Sequence, residues 1–188
     1  MRFVCLLADG FEDIEAIGTV ALLKRSGIEV ELVSVFGKKT VTGAFQTEVV
    51  VNTKMSSIDV DEYDGIFIPG GRQAYVLRDT PSALELVIKF SEQQKWLMAI
   101  CAGPSVFGVI GLLDGKHYTS FPGTEVYMPK GIRENALVVT DGNIITGIGA
   151  GAVHEFAFEI IKNVLGKDKA DEIKKRTLYK AFETRTEE

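Results

Sequence analysis

Residues 96–100, Trp-Leu-Met-Ala-Ile, form an unbroken apolar run of strand length that passes directly into Cys101-Ala102-Gly103-Pro104-Ser105. An apolar run of this length reads as a strand. The residues that follow open a helix: they are small, and Pro104 falls in the first turn, where a missing N–H costs nothing. Cys101 stands at the corner, above the end of the sheet and against the helix's unpaired N–H groups. The partial positive charge there is expected to lower the thiol pKa and favour the thiolate. The competing use of such a cysteine is as a small buried hydrophobe.

The rest of the chain repeats the strand-then-helix alternation. Residues 2–7 form an apolar first strand ending at the turn Ala8-Asp9-Gly10. A helix is predicted from residue 12 or 13 to 25, with acids in its first turn, Lys24-Arg25 in its last and Gly27 as C-cap. Residues 28–36 alternate and are rich in valine, giving a second strand and a right-handed parallel crossover. Residues 41–51 suggest a hairpin or small side sheet, and 58–64 hold at most one helical turn. Residues 65–68 form another buried strand, closed by Pro69-Gly70-Gly71. Thr80 is the expected N-cap of a helix to about residue 93, with Pro81 at its first position. The helix after Cys101 is predicted to reach about residue 113. Residues 116–121, 136–139 and 143–147 read as strands, the last two joined at Asp141-Gly142. Helices are expected at 152–165, after Gly149-Ala150-Gly151, and at 167–185, with Ala170, Ile173, Leu178 and Phe182 as an apolar stripe.

No repeat or linker interrupts the pattern, so one domain over residues 1–188 is expected, a doubly wound, mostly parallel α/β sheet with helices on both faces. The net charge of −5 gives no reason to expect nucleic acid or an anionic membrane as partner. Two cysteines are too few for a disulfide framework, the N-terminal apolar run is too short for a signal peptide, and no segment is long enough to span a bilayer. These features suit a cytoplasmic protein.

In such sheets the working site lies at the carboxyl ends of the strands. Gly70 and Gly71 would let backbone N–H groups point into a shared cavity, with the N–H of Ala102 as a further donor, or else form a plain turn. Glu15, near the start of the first helix, is either a buried, protonated partner for a thiolate or ordinary solvated surface. His154 is a candidate base without an evident partner, and His117 reads as structural. Arg72 could hold an anionic substrate or face solvent. There is no metal-ligand spacing and no phosphate-binding glycine motif, so neither metal nor cofactor is expected.

The motifs Ala8-Asp9-Gly10-Phe11-Glu12-Asp13-Ile14-Glu15, Pro69-Gly70-Gly71, Ala99-Ile100-Cys101-Ala102-Gly103-Pro104 and Gly149-Ala150-Gly151 resemble, in order and separation, those of the DJ-1/PfpI (ThiJ-like) family, and its DJ-1 branch in particular. The resemblance covers nearly the whole chain. It implies a flavodoxin-like fold of the class I glutamine amidotransferase type, a homodimer, Cys101 as nucleophile, Glu15 as its protonated partner, and Gly70, Gly71 and Ala102 as backbone donors. Two positions depart from the family pattern. Ala102 stands where protease-like members carry a histidine, and Phe121 stands where many DJ-1-like members do. The implied activity is a glutathione-independent glyoxalase or deglycase acting on small aldehydes or glycated substrates. Redox sensing or a chaperone role through Cys101 is the alternative, and a peptidase or amidotransferase-type hydrolase ranks last.

Overall fold

The computed structural model describes residues 1–180. The chain begins with β1 (Arg2–Leu7), a π-helical turn (Ile14–Gly18) that continues as α1 (Thr19–Arg25), and β2 (Glu29–Ser34). A hairpin, β3 (Thr40–Thr42) with β4 (Glu48–Val50), precedes the short β5 (Thr53–Lys54). Then come β6 (Gly65–Ile68), α2 (Gln73–Arg78), α3 (Pro81–Glu92), β7 (Trp96–Ile100) and α4 (Pro104–Gly108). The last part holds β8 (His117–Tyr118), β9 (Ile132–Arg133), β10 (Val138–Asp141), β11 (Ile144–Gly147), α5 (Val153–Leu165) and α6 (Lys167–Arg176).

Seven strands form the main sheet in the order β10-β11-β7-β6-β1-β2-β5. Every pair is parallel except β10 with β11, the hairpin turned by Gly142 at φ 62°. The chain goes from β1 outward to β2 and β5, then returns to the other side of β1 for β6 and β7. The order therefore reverses beside β1, and a crevice opens there at the carboxyl ends.

Successive side chains of each strand point to opposite faces, so each central strand feeds two cores. Phe3, Cys5, Leu7, Phe67, Met98 and Ile100 pack with α1, α5 and α6 through Leu23, Phe156, Ile160 and Ile173. Val4, Leu6, Ile66, Ile68, Leu97 and Ala99 pack on the other face with Leu77, Val87, Phe90 and Phe107 of α2, α3 and α4. Each such large apolar side chain, once out of water, contributes on the order of 2 kcal/mol. Cys101 touches both cores, which locates it at the sheet's rim between the two layers.

The structure departs from the sequence reading at several places. The helix α2 follows Gly71 directly and has no apolar periodicity of its own to announce it. Thr80 does occupy the N-cap of α3, but its hydroxyl donates to the Val76 carbonyl at 2.7 Å instead of capping the helix. The helix after Cys101 ends at Gly108, since residues 109–115 turn away at Gly111 and Gly115, both left-handed. Of residues 116–121 only β8 is strand, paired parallel with β9 in a separate two-stranded piece. At the C-terminus Ala170 and Ile173 are buried, but α6 stops at Arg176 and Leu178 is 72% exposed. Phe182 lies outside the described residues. Among the described residues no helix is long and apolar enough to cross a membrane.

Candidate active site

Four chain segments meet at the carboxyl edge of β1, β6, β7 and β11. Cys101 follows β7 with φ at 63°, a left-handed conformation that a side-chain-bearing residue adopts at a cost of roughly 1–3 kcal/mol. The surroundings hold it there. Its N–H donates to Gly147 O at 2.9 Å, its carbonyl accepts the Phe121 N–H at 2.8 Å, and the Gly103 N–H donates to Ile100 O at 2.9 Å. Position 103 requires glycine: a Cβ there would lie 2.4 Å from Ile68 O. Cys101 is partly exposed as a residue, while Cys5, inside β1, is fully buried with its thiol pKa pushed well up by burial.

Glu15 comes from the π-helical turn and has no exposed surface. Its own N–H donates to Glu12 Oε2 at 2.7 Å, and its Oε2 accepts the Gly70 N–H at 2.8 Å. Oε1 is buried with no well-aligned hydrogen-bond partner. Burial pushes the carboxyl up to about 7, with Glu12 adding to the rise; Cys101 and the amides of Gly70 and Ala150 oppose it.

The thiol moves against the expectation from sequence. Burial first, then the charge and hydrogen bonding of Glu15, push Cys101 up to about 12, against the amides of Ala102 and Gly71. A five-residue α4 offers little macrodipole to set against this. The two groups form one coupled pair, in which sulfur carries charge readily only while Glu15 keeps its proton.

The glycine pair divides its work. The Gly71 N–H, with that of Ala102, is directed at sulfur, whereas the Gly70 N–H is taken by Glu15 and does not serve as a donor to the cysteine. A Cβ on Gly70 would lie 2.7 Å from both Cys101 Cβ and Glu15 Oε2. Gly71, at φ 80°, bridges Phe11, and a Cβ there would lie 2.3 Å from Gly10 O. Glu12 N–H completes this junction by donating to Gly70 O at 3.1 Å.

The remaining candidates are not brought to the sulfur. His154 is exposed on α5, stacked on the Tyr179 ring at 5.5 Å between centroids. His117 pairs with Glu134 at 2.5 Å. Arg72 is exposed at the start of α2 and lines a surface depression with Asp9, Thr42 and Gln46. A groove of about 560 Å³ between Val138, Phe158, Lys162 and Tyr179 includes neither Cys101 nor Glu15.

Gln73 was not singled out from sequence, since nothing in a lone glutamine announces burial. It is fully buried, accepts the Ala8 N–H at 2.7 Å and donates to Pro69 O at 3.0 Å, tying the end of β1 to that of β6. Ser105 is likewise buried, with its hydroxyl donating to Ala102 O at 2.6 Å. Among the described residues no group of histidine, cysteine and acidic side chains could hold a metal ion.

The sequence model of the DJ-1/PfpI family matches residues 1–163. Protein dj-1beta of Drosophila melanogaster is 30% identical over 176 residues, covering 92% of this chain and 94% of that protein. A Pyrococcus abyssi protein named as a deglycase is 34% identical over 164 residues, covering 86% of this chain and 98% of its own. Among solved structures, oxidized DJ-1 of Toxoplasma gondii superposes with a TM-score of 0.88 at 30% identity, over 95% of this chain and 98% of that one.

Proposed function

Because this chain belongs to the DJ-1/PfpI family, we propose that it uses Cys101 and Glu15 to convert α-oxoaldehydes such as methylglyoxal, or their adducts on proteins, as a glutathione-independent glyoxalase or deglycase. The observation that carries this is a buried carboxyl coupled to a thiol on a strained corner, with two backbone N–H groups at the sulfur. Those amides favour charge on sulfur, and Oε1, which has no well-aligned partner, gains a bond if it holds the pair's remaining proton. The reactive form is therefore thiolate and carboxylic acid.

Sulfur attacks the aldehyde carbon, forming the C–S bond while the carbonyl electrons move to oxygen, which takes the proton from Glu15. The Glu15 carboxylate then removes the hydrogen on that carbon and returns it to the neighbouring carbon, while the proton of the hemithioacetal hydroxyl passes to the former ketone oxygen and the C=O forms beside sulfur. The aldehyde carbon is oxidised and the ketone carbon reduced, so no outside electron acceptor enters. Water hydrolyses the resulting thioester, releasing lactate and the thiol. With both histidines engaged elsewhere, Glu15 handles every proton transfer.

Purified protein with methylglyoxal should yield lactate, and Cys101→Ser and Glu15→Gln should each reduce it at least about a hundredfold. Equal lactate from all three proteins would overturn the proposal. A second use of the same corner, redox sensing, is supported by the partly exposed cysteine and its two amides, which could hold sulfinate oxygens. Intact mass after mild peroxide should then show two oxygens added at Cys101 and none at buried Cys5. We place this chemistry in a homodimer in the cytoplasm. Its contact surface would use the exposed apolar side chains Ile14, 60% exposed, and Phe45, 74% exposed, the latter on a loop whose Phe45 N–H donates to Asp13 at 3.0 Å.

A further inference from the structure

The guanidinium of Arg78, at the end of α2, makes no ion pair among the described residues. It lies 3.5 Å from the Tyr127 ring centroid and 4.5 Å from that of Tyr75. Its Nη1 donates to Ser105 Oγ at 3.0 Å. The fully buried Ser105 hydroxyl in turn donates to Ala102 O at 2.6 Å, and the Ser105 N–H adds a second bond to the same oxygen at 3.1 Å. Ala102 is the residue whose own N–H points at the sulfur.

We infer that Arg78, acting through Ser105, is a positioning residue that holds the Ala102 peptide against Cys101 and favours charge on its sulfur. This deepens the thiolate chemistry proposed above and rests on it. A hydrogen bond from a charged donor polarises the hydroxyl it meets, so Ser105 grips the Ala102 carbonyl more firmly than a neutral chain would. These two donors fix the peptide after Ala102, and the Phe121 N–H on the Cys101 carbonyl fixes the peptide before it, so the Ala102 N–H stays aimed at sulfur.

The same cation fastens the loop on the far side of the corner. Tyr127, on which it stacks, belongs to the segment that carries Phe121, the donor to the Cys101 carbonyl. That segment packs closely on α4, where a Cβ on Gly108 would lie 2.5 Å from Tyr127 O. Arg78 thus joins α2, α4 and the loop that carries Phe121, the elements around the cysteine's corner. Other charged or titratable groups around the cysteine corner and its loop are Glu15 with Glu12 behind it, Arg133, which donates to Ser120 O at 3.1 Å, Glu125 and Tyr118, which interact with Arg133, and the two tyrosines at Arg78 itself.

The test is the pH profile of Cys101 alkylation by iodoacetamide, which reports thiolate, together with thermal melting. Arg78→Gln should move the inflection to higher pH, slowing alkylation below it about threefold or more, and Ser105→Ala should reproduce that shift. Because the two act in series, the double variant should slow no further than the slower single variant. Arg78→Lys, keeping the charge, should recover most of the wild-type rate. An unchanged inflection alongside a lowered melting temperature would make Arg78 only a clip between elements, and additive shifts would break the chain; either overturns the inference. Should Arg78→Gln fail to fold, Ser105→Ala, which leaves the tyrosine stacking in place, decides alone by shifting the inflection or leaving it. A wild-type profile that rises only towards pH 12 would sink the proposed thiolate chemistry, while the difference between variants would still judge Arg78.

Discussion

Glu15 has no exposed surface, and burial lifts its carboxyl from 4.5 to about 7. Between those two values the folded chain keeps a proton that the unfolded chain has released. Stability therefore falls as pH rises through that window, holds steady above it, and falls again above about pH 9, where the raised Cys101 thiol keeps a proton that the unfolded chain releases. Glu15→Gln removes the first of these penalties. At pH 8 it should be more stable than the wild type by up to about 3 kcal/mol, with the gain absent at pH 4. Urea unfolding at the two pH values measures this, and an equal gain at both would mean that the amide acts through packing instead. In the proposed mechanism the same substitution removes the proton shuttle, so stability and activity are expected to move in opposite directions at this residue.

At the level of elements, the site exists because strand ends are tied to one another before any side chain reaches the sulfur. Gln73 accepts from Ala8 and donates to Pro69, linking β1 to β6 beneath the Gly70-Gly71 junction. Gln73→Leu would leave these backbone groups buried and unpaired. It is expected to lower unfolding free energy by about 2 kcal/mol or more and to reduce lactate formation, measured by urea titration and by kcat on the refolded variant. Gly70→Ala should be worse for activity than for folding, because its methyl would meet Cys101 Cβ and Glu15 Oε2, both at 2.7 Å and both fixed by their own hydrogen bonds. The π-helical turn at Ile14–Gly18 belongs to the same design: it brings Glu15 from a helix start, where a glutamate ordinarily meets solvent, to the edge of the sheet.

Across the whole molecule, two apolar layers sandwich the sheet, and the Cys101 corner lies where both end. The exposed Ile14 is the chain neighbour of Glu15, so a dimer formed through it would place the partner near the site. Sedimentation should give twice the chain mass, and Ile14→Glu should shift the protein toward the monomer; a wild-type monomer at micromolar concentration would remove the dimer from the proposal. The sequence by itself determined the layered α/β architecture, because unbroken apolar runs need cover on both faces and the strand-helix alternation supplies it. It also placed Cys101 at a strand-to-helix corner and made Glu15 and the glycine pair candidates to meet it. Tertiary structure alone decided that burial of Glu15 and Cys101 raises both pKa values, that Gly70 serves the acid while Gly71 serves the sulfur, and that His154 stacks elsewhere. Those outcomes depend on desolvation and on the direction of individual N–H groups, which arise only when segments far apart in the chain are packed together.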